Sequence, residues 1–175
     1  MRRLWSTRTD TVRLFDDAVL RAPVRDVTDF GASLRALIDR LLRVQRRERA
    51  VGVAATQIGE SWNVFVLNGA ELRRGGKQEV YVNPRILREE GQDTDEEGCL
   101  SFPGLFIPVV RPQRVEIEAL DADGRRFTRE GAGLRARAFS HETDHLLGRL
   151  IVDRVDPELR ESVLARMRAL RRKQV

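Results

Sequence analysis

Hydrophobic positions change their period several times along this chain. From Asp29 onward, Phe30, Leu34, Leu37, Ile38, Leu41 and Leu42 recur at helical spacing with Arg and Asp opposite. That stripe predicts an amphipathic helix near the N-terminus. A glycine-bearing apolar segment, 51–59, follows it. Short runs rich in Val and Ile at 63–67, 79–82, 85–87 and 114–120 then predict strands, and Asp123-Gly124 before Phe127 predicts a hairpin turn. Helical spacing returns over 134–147, and Gly148 stands where a C-cap belongs. Asp156-Pro157 opens a last helix with Leu159, Val163, Leu164, Met167 and Leu170 on one face. The order helix, strands, helix, strand, helix predicts an α+β fold. Antiparallel or mixed sheets pack around the central helix, flanked by an N-terminal amphipathic helix and a C-terminal helix. No repeat or Pro/Gly-rich linker interrupts the chain, so residues 1–175 are expected to form a single domain.

Composition narrows the class. Charged residues make up 34% of the chain, above the usual share of about 25%, which implies a heavily solvated surface. No apolar run approaches the roughly 18 residues that span a bilayer. The basic start MRRLWSTRTD lacks the apolar core of a secretory signal. One cysteine excludes an intrachain disulfide framework. The expectation is a cytoplasmic protein without a membrane partner. The net charge of +5 is concentrated at the ends. Four arginines against Asp10 give +3 over residues 1–15, and six basic residues against Glu158 and Glu161 give +4 over 158–175, so the body carries −2. That distribution argues against a sequence-specific nucleic-acid reader.

The stretch Ser140-His141-Glu142-Thr143-Asp144-His145 carries the clearest chemistry. On a helix, His141 and His145 lie one turn apart on the same face and can grip one metal ion, with Glu142 beside the first ligand. Two histidines with unrelated structural jobs are the plainer alternative. The chain has only two histidines, however, and both stand in this motif. Catalytic zinc-type centres usually take three protein ligands, and no third histidine exists. Cys99, in Glu96-Glu97-Gly98-Cys99-Leu100-Ser101-Phe102-Pro103-Gly104, is the only cysteine. A free cysteine is commonly a small buried hydrophobe. A glycine before it and a Pro-Gly turn after it also suit a thiolate held at a loop or strand end, completing a Cys-His-His set.

These two motifs and the segment Ala50-Val51-Gly52-Val53-Ala54-Ala55-Thr56-Gln57-Ile58-Gly59 resemble, in order and spacing, the three signature motifs of peptide deformylases. Asp16–Arg21, Asn83-Pro84 and Arg111-Pro112 extend the resemblance over about residues 12–156, and the C-terminal helix matches bacterial members. The resemblance implies an enzyme that removes the N-formyl group from the initiator methionine of new polypeptides. It implies one Fe²⁺ per chain, with Zn²⁺, Ni²⁺ or Co²⁺ as substitutes, held by Cys99, His141 and His145. Glu142 then serves as proton shuttle, and the Leu100 backbone N–H and Gln57 amide as oxyanion donors. The substrates implied are N-formylmethionyl peptides, which pair as an added strand beside Ala50, Val51 and Gly52. Their methionine side chain is expected near Val51, Leu134 and Ala138. Glu97 and Arg111 resemble the family's structural ion pair beneath the cysteine loop. Residues 157–173, the basic C-terminal helix, are implied to dock on the ribosome; the alternative is a solvated helix end whose late basic residues suit the helix dipole.

The chain departs from the family pattern twice. Ala50 replaces the usual first glycine, which is tolerable if its φ is negative, and Ser140 replaces a usual glutamine, off the ligand face. Phe102 and Phe106 vary the loop beside the site. Two other readings stay open at the level of sequence: an HExxH peptidase that needs no Cys99, and a deformylase diverted to a specialised formylated substrate.

Overall fold

The computed structural model describes residues 10–73 and 75–172. Arg2, Arg3 and Arg8 of the basic start and Lys173 lie outside them. The first long helix, α1 (Ala32–Glu48), follows an Asx turn in which Gly31 N–H donates to Asp29 Oδ1 at 2.9 Å. It runs past the predicted stripe because Val44 and Gln45 continue the buried face formed by Leu34, Leu37, Ile38 and Leu41. It stops where Arg49 turns left-handed, with φ 53°.

Five strands, β1 (Gly52–Ala54), β2 (Val64–Asn68), β3 (Gln78–Glu90), β6 (Arg114–Leu120) and β7 (Arg126–Ala132), form one antiparallel sheet in the order β1-β2-β3-β6-β7. The single turn α2 (Gly69–Leu72) joins β2 to β3. Two helices cover the sheet. Val64 and Val66 of β2 pack with Leu34, Leu37 and Leu41 of α1. The intervening Phe65 and Leu67 pack with Ala136, Phe139 and Leu146 of α3 (Leu134–Leu146). The two-residue period of a strand therefore feeds two cores at once. A second, two-stranded sheet, β4 (Asp93–Cys99) and β5 (Phe102–Arg111), stands apart. Its Leu105, Ile107 and Val109 pack on Leu150, Ile151 and Val152 and on Val163 and Met167 of α4 (Pro157–Arg172).

The α+β class and the central helix agree with the sequence pattern, and Gly148 takes the left-handed φ of 70° expected past a helix end. Three local expectations are corrected. The runs 79–82 and 85–87 are one strand, β3, whose register shifts between Val82 and Arg85. Pro84 has no N–H to give a ladder, and Asn83 adopts φ 50° while its side chain bonds Val27 N–H and C=O at 2.8 and 2.9 Å. The strand expected between the last two helices is a 3₁₀ turn, Ile151–Asp153, held by Leu150 N–H donating to Asp153 Oδ2. The reversal after the cysteine lies at Leu100-Ser101. Pro103 and Gly104, with Gly104 at φ 73°, form an irregularity within β5.

Glu79 on β3 ties sheet to helix. It accepts hydrogen bonds from Tyr81 Oη and Arg135 Nη1, both at 2.7 Å, and pairs with Arg129. Burial pushes its carboxyl up, but the bonds from Arg135 and Tyr81 and the charges of Arg129 and Arg135 hold it below its ordinary value of 4.5. A depressed folded value contributes stability above the unfolded pKa and loses it as pH falls. Glu79→Gln is expected to lower unfolding free energy at pH 7 by about 1–3 kcal/mol. The deficit should shrink as pH falls below 4.5, as checked by denaturant melts at several pH values.

Candidate active site

Two elements, α3 and β4, supply the candidate ligand atoms. The α3 helix presents His141 and His145 one turn apart, their rings meeting edge to face at 4.9 Å between centroids. Cys99 ends β4 at the tight turn into β5 and brings Sγ to 3.3 Å from His145 Nε2. The donor atoms of Cys99, His141 and His145 all lie within 4.8 Å of one another. One soft sulfur and two imidazoles at that separation suit a single transition-metal ion with tetrahedral preference. Burial would raise the Cys99 thiol, but the charge of His145 and hydrogen bonds from both imidazoles carry it well below the ordinary thiol range. A sulfur that favours the thiolate is the form a metal takes.

Glu142 lies beside this triad. It is 3% exposed, and its Oε2 has no hydrogen-bond partner among the described residues. Burial first, then the negative charges of Cys99 and Glu97 against the pull of both histidines, raises its carboxyl to about 7. An unpartnered buried carboxylate oxygen at a metal-binding triad suits an incoming proton donor. Its other oxygen lies over Gly52: a Cβ added there would stand 2.3 Å from Glu142 Oε1 and 2.7 Å from Leu67 Cδ2. The glycine expected to admit the peptide backbone thus also makes room for the carboxylate.

Gln57, on the turn after β1, accepts from Ala54 N–H through Oε1 at 3.0 Å, which aims its amide nitrogen at Cys99 Sγ, 3.6 Å away. Behind the histidines sits a buried ionic group. Glu97 accepts from Arg111 Nε and Nη2 at 3.0 and 2.6 Å, from Arg137 Nη1 at 3.0 Å, and contacts His141 Nδ1 at 2.7 Å. Burial opposes its charge, but the bonds from His141 and Arg111 hold it far below the carboxylate range. Arg111 also reaches Asp144, which Arg154 Nε meets at 2.8 Å.

A cleft of about 950 Å³ opens over these groups. Ala50, Val51, Gly52, Gln57, Glu97, Cys99, Leu100, Leu134, Ala138, His141 and Glu142 all line it; His145 and Arg111 stand behind it, each at most 2% exposed. Ala50 is outside the residues of positive φ, so its methyl is accommodated. Ser140 is buried, with no partner for its hydroxyl among the described residues. Sequence reasoning missed Arg137, Asp144 and Arg154. For Asp144 the signal was its place inside the HExxH motif next to His145; for Arg137 it was an arginine at an otherwise apolar helix position, one turn before His141.

Comparison with known proteins points the same way. The polypeptide deformylase family model matches residues 9–161. The chain is 45% identical over 161 residues to the peptide deformylase of Acidothermus cellulolyticus, covering 91% of this chain and 84% of that one. It is 38% identical over 158 residues to that of Acidobacterium capsulatum, covering 90% and 93%. The crystal structure of a peptide deformylase from Legionella pneumophila superposes with a TM-score of 0.87 at 35% identity, covering 95% of this chain and 98% of that one.

Gly52→Ala should leave the fold in place yet displace the Glu142 carboxylate. The expected result is a melting temperature lowered by several degrees, because buried Leu67 must also give way, with turnover reduced by far more, about 10²–10⁴-fold. Arg111→Met strips Glu97 and Asp144 of a buried partner and should cost about 3–5 kcal/mol in a urea melt.

Proposed function

This chain belongs to the polypeptide deformylase family and removes the N-formyl group from newly made polypeptides; we propose that it does so with one metal ion held by Cys99, His141 and His145. The observation that carries this reading is the convergence of those three donor atoms within 4.8 Å at the foot of the cleft, against the unpartnered carboxylate of Glu142. Fe²⁺ is the proposed ion, and the mixed sulfur and imidazole set also accepts Zn²⁺, Ni²⁺ or Co²⁺. When bound, the ion acts as a Lewis acid and lowers the pKa of water.

Glu142 takes a proton as water attacks the formyl carbon, then returns it to the amine nitrogen as the C–N bond breaks, releasing formate and a free N-terminus. The Gln57 amide, already oriented by Ala54, and the Leu100 backbone N–H donate to the developing oxyanion. The outer edge of β1, which ends the sheet order, offers Val51 and Gly52 to the substrate backbone as an added strand. Leu134 and Ala138 on α3, with Val51, receive the methionine side chain. Glu97 fixes the ring of His141 through Nδ1. A formyl carbon bears only hydrogen, so an acetyl methyl meets the walls that a formyl group clears.

Residues 1–175 act as one catalytic domain in this reading. A cytoplasmic site of action follows from a substrate that is still being translated, and among the described residues no helix is long and apolar enough to cross a membrane. The last helix, anchored by buried Val163 and Met167 with Arg166 and Arg168 exposed, docks on ribosomal RNA. Charge reversal at Arg166 and Arg168 is expected to weaken ribosome binding at low salt while short-peptide turnover survives.

The direct test measures metal content and turnover on the same samples. Cys99→Ala and His141→Ala should lose the ion. Glu142→Ala should keep it and lose turnover by about 10²–10⁴-fold. Formyl-Met peptides should be cleaved and acetyl-Met peptides left intact; equal rates on both would sink the assignment.

A further inference from the structure

The β5 strand is apolar on both faces. Leu105, Ile107 and Val109 point into the core, while the alternate positions Phe106, Pro108 and Val110 are exposed, Phe106 by 68% and Val110 by 48%. Outward positions of a sheet that covers a core on one side are normally polar. Among the described residues β5 pairs with β4 alone, so an apolar row lies uncovered beside an open strand edge. The register shows where the row leads. Phe106 stands opposite Gly98, the neighbour of Cys99; Pro108 stands opposite Glu96, and Val110 opposite Thr94. Residues directly opposite share a face. Each two-residue step advances about 7 Å, so the row runs about 14 Å beyond Phe106, away from the ligand sulfur. Gly98, Phe106 and Glu96 already line the cleft. The row is therefore continuous with the cleft and not a separate patch.

We propose that Phe106, Pro108 and Val110 form an exit track for the substrate polypeptide, holding the residues downstream of the methionine and favouring apolar over acidic side chains. This rests on the deformylase reading of the cleft. An extended chain advances about 3.3 Å per residue, so a row of about 14 Å spans about four substrate residues downstream of the methionine. Among the paired β4 and β5 positions that share this face, Glu96 is the charged one, which adds repulsion against an acidic segment. The occupant is thus a formylated chain with an apolar stretch close behind its first residues.

The experiment uses the metal-loaded enzyme and four substrates: a formyl-Met tripeptide, and formyl-Met octapeptides with leucine, serine or glutamate at positions 4 to 7. The expected order of kcat/KM is leucine above serine above glutamate, with leucine ahead of serine by about tenfold, the worth of burying one or two apolar side chains. Val110→Glu should abolish the leucine advantage, and Val110→Lys should abolish it while raising the glutamate peptide toward the serine one. The tripeptide ends short of Val110, so its unchanged rate in both variants reports an intact fold and centre. Level rates across the octapeptides in the wild-type enzyme overturn the track alone. A wild-type enzyme inert toward the tripeptide overturns the deformylase reading and the track with it. A dimer that Val110→Glu dissociates, with level octapeptide rates, would assign the face to a second copy of this chain and overturn the proposal.

Discussion

The arrangement depends on one buried carboxylate. Glu97 lies on β4, Arg111 on β5, and Arg137 and His141 on α3, so its four contacts fasten the two-stranded sheet to the helix that carries both histidines. Two arginines against one glutamate leave that glutamate no tendency to take the imidazole proton, so it accepts from Nδ1 and leaves the other ring nitrogen free for a metal. Arg137 also donates to the Val109 and Asp93 carbonyls, satisfying backbone at both strands. A pair of buried charges alone rarely adds net stability. Here the cost of burying them secures orientation: the cluster fixes how the hairpin that carries the sulfur faces the helix that carries the histidines.

Much of this was readable from residue order. The helical stripe from Leu34 to Leu41 and the spacing of His141 and His145 each express one periodicity, and each appears in the structure as its period requires. The candidate ligands and cleft residues were named by motif, and the fold gathers them at one place.

What stayed hidden did so for physical reasons. The β4 strand reads as an acidic loop, Asp-Thr-Asp-Glu-Glu, because only Glu97 among those five is buried and its partners are far along the chain. The β5 strand is masked in the opposite way: nine consecutive apolar residues hide an alternation that burial makes plain. Bulges at Asn83-Pro84 and at Pro103-Gly104 resemble turns in sequence because the same residue types serve both. Arg137 differs from the chain's other arginines in sequence only by its apolar helix position, and its partner Glu97 lies 40 residues away.

Cys99 and His145 lie 46 positions apart, on elements whose contact is made through side chains and not through a shared ladder. Closing a loop of that size costs entropy that local helix formation on α3 does not recover. A 13-residue helix is marginal on its own in water, so the fixed spacing of the two histidines, like the approach of the sulfur, depends on docking against the sheet. A chain in which that docking is incomplete offers scattered donor atoms and no preformed site. The metal-capable group is consequently a property of the whole fold and not of any one segment of the chain.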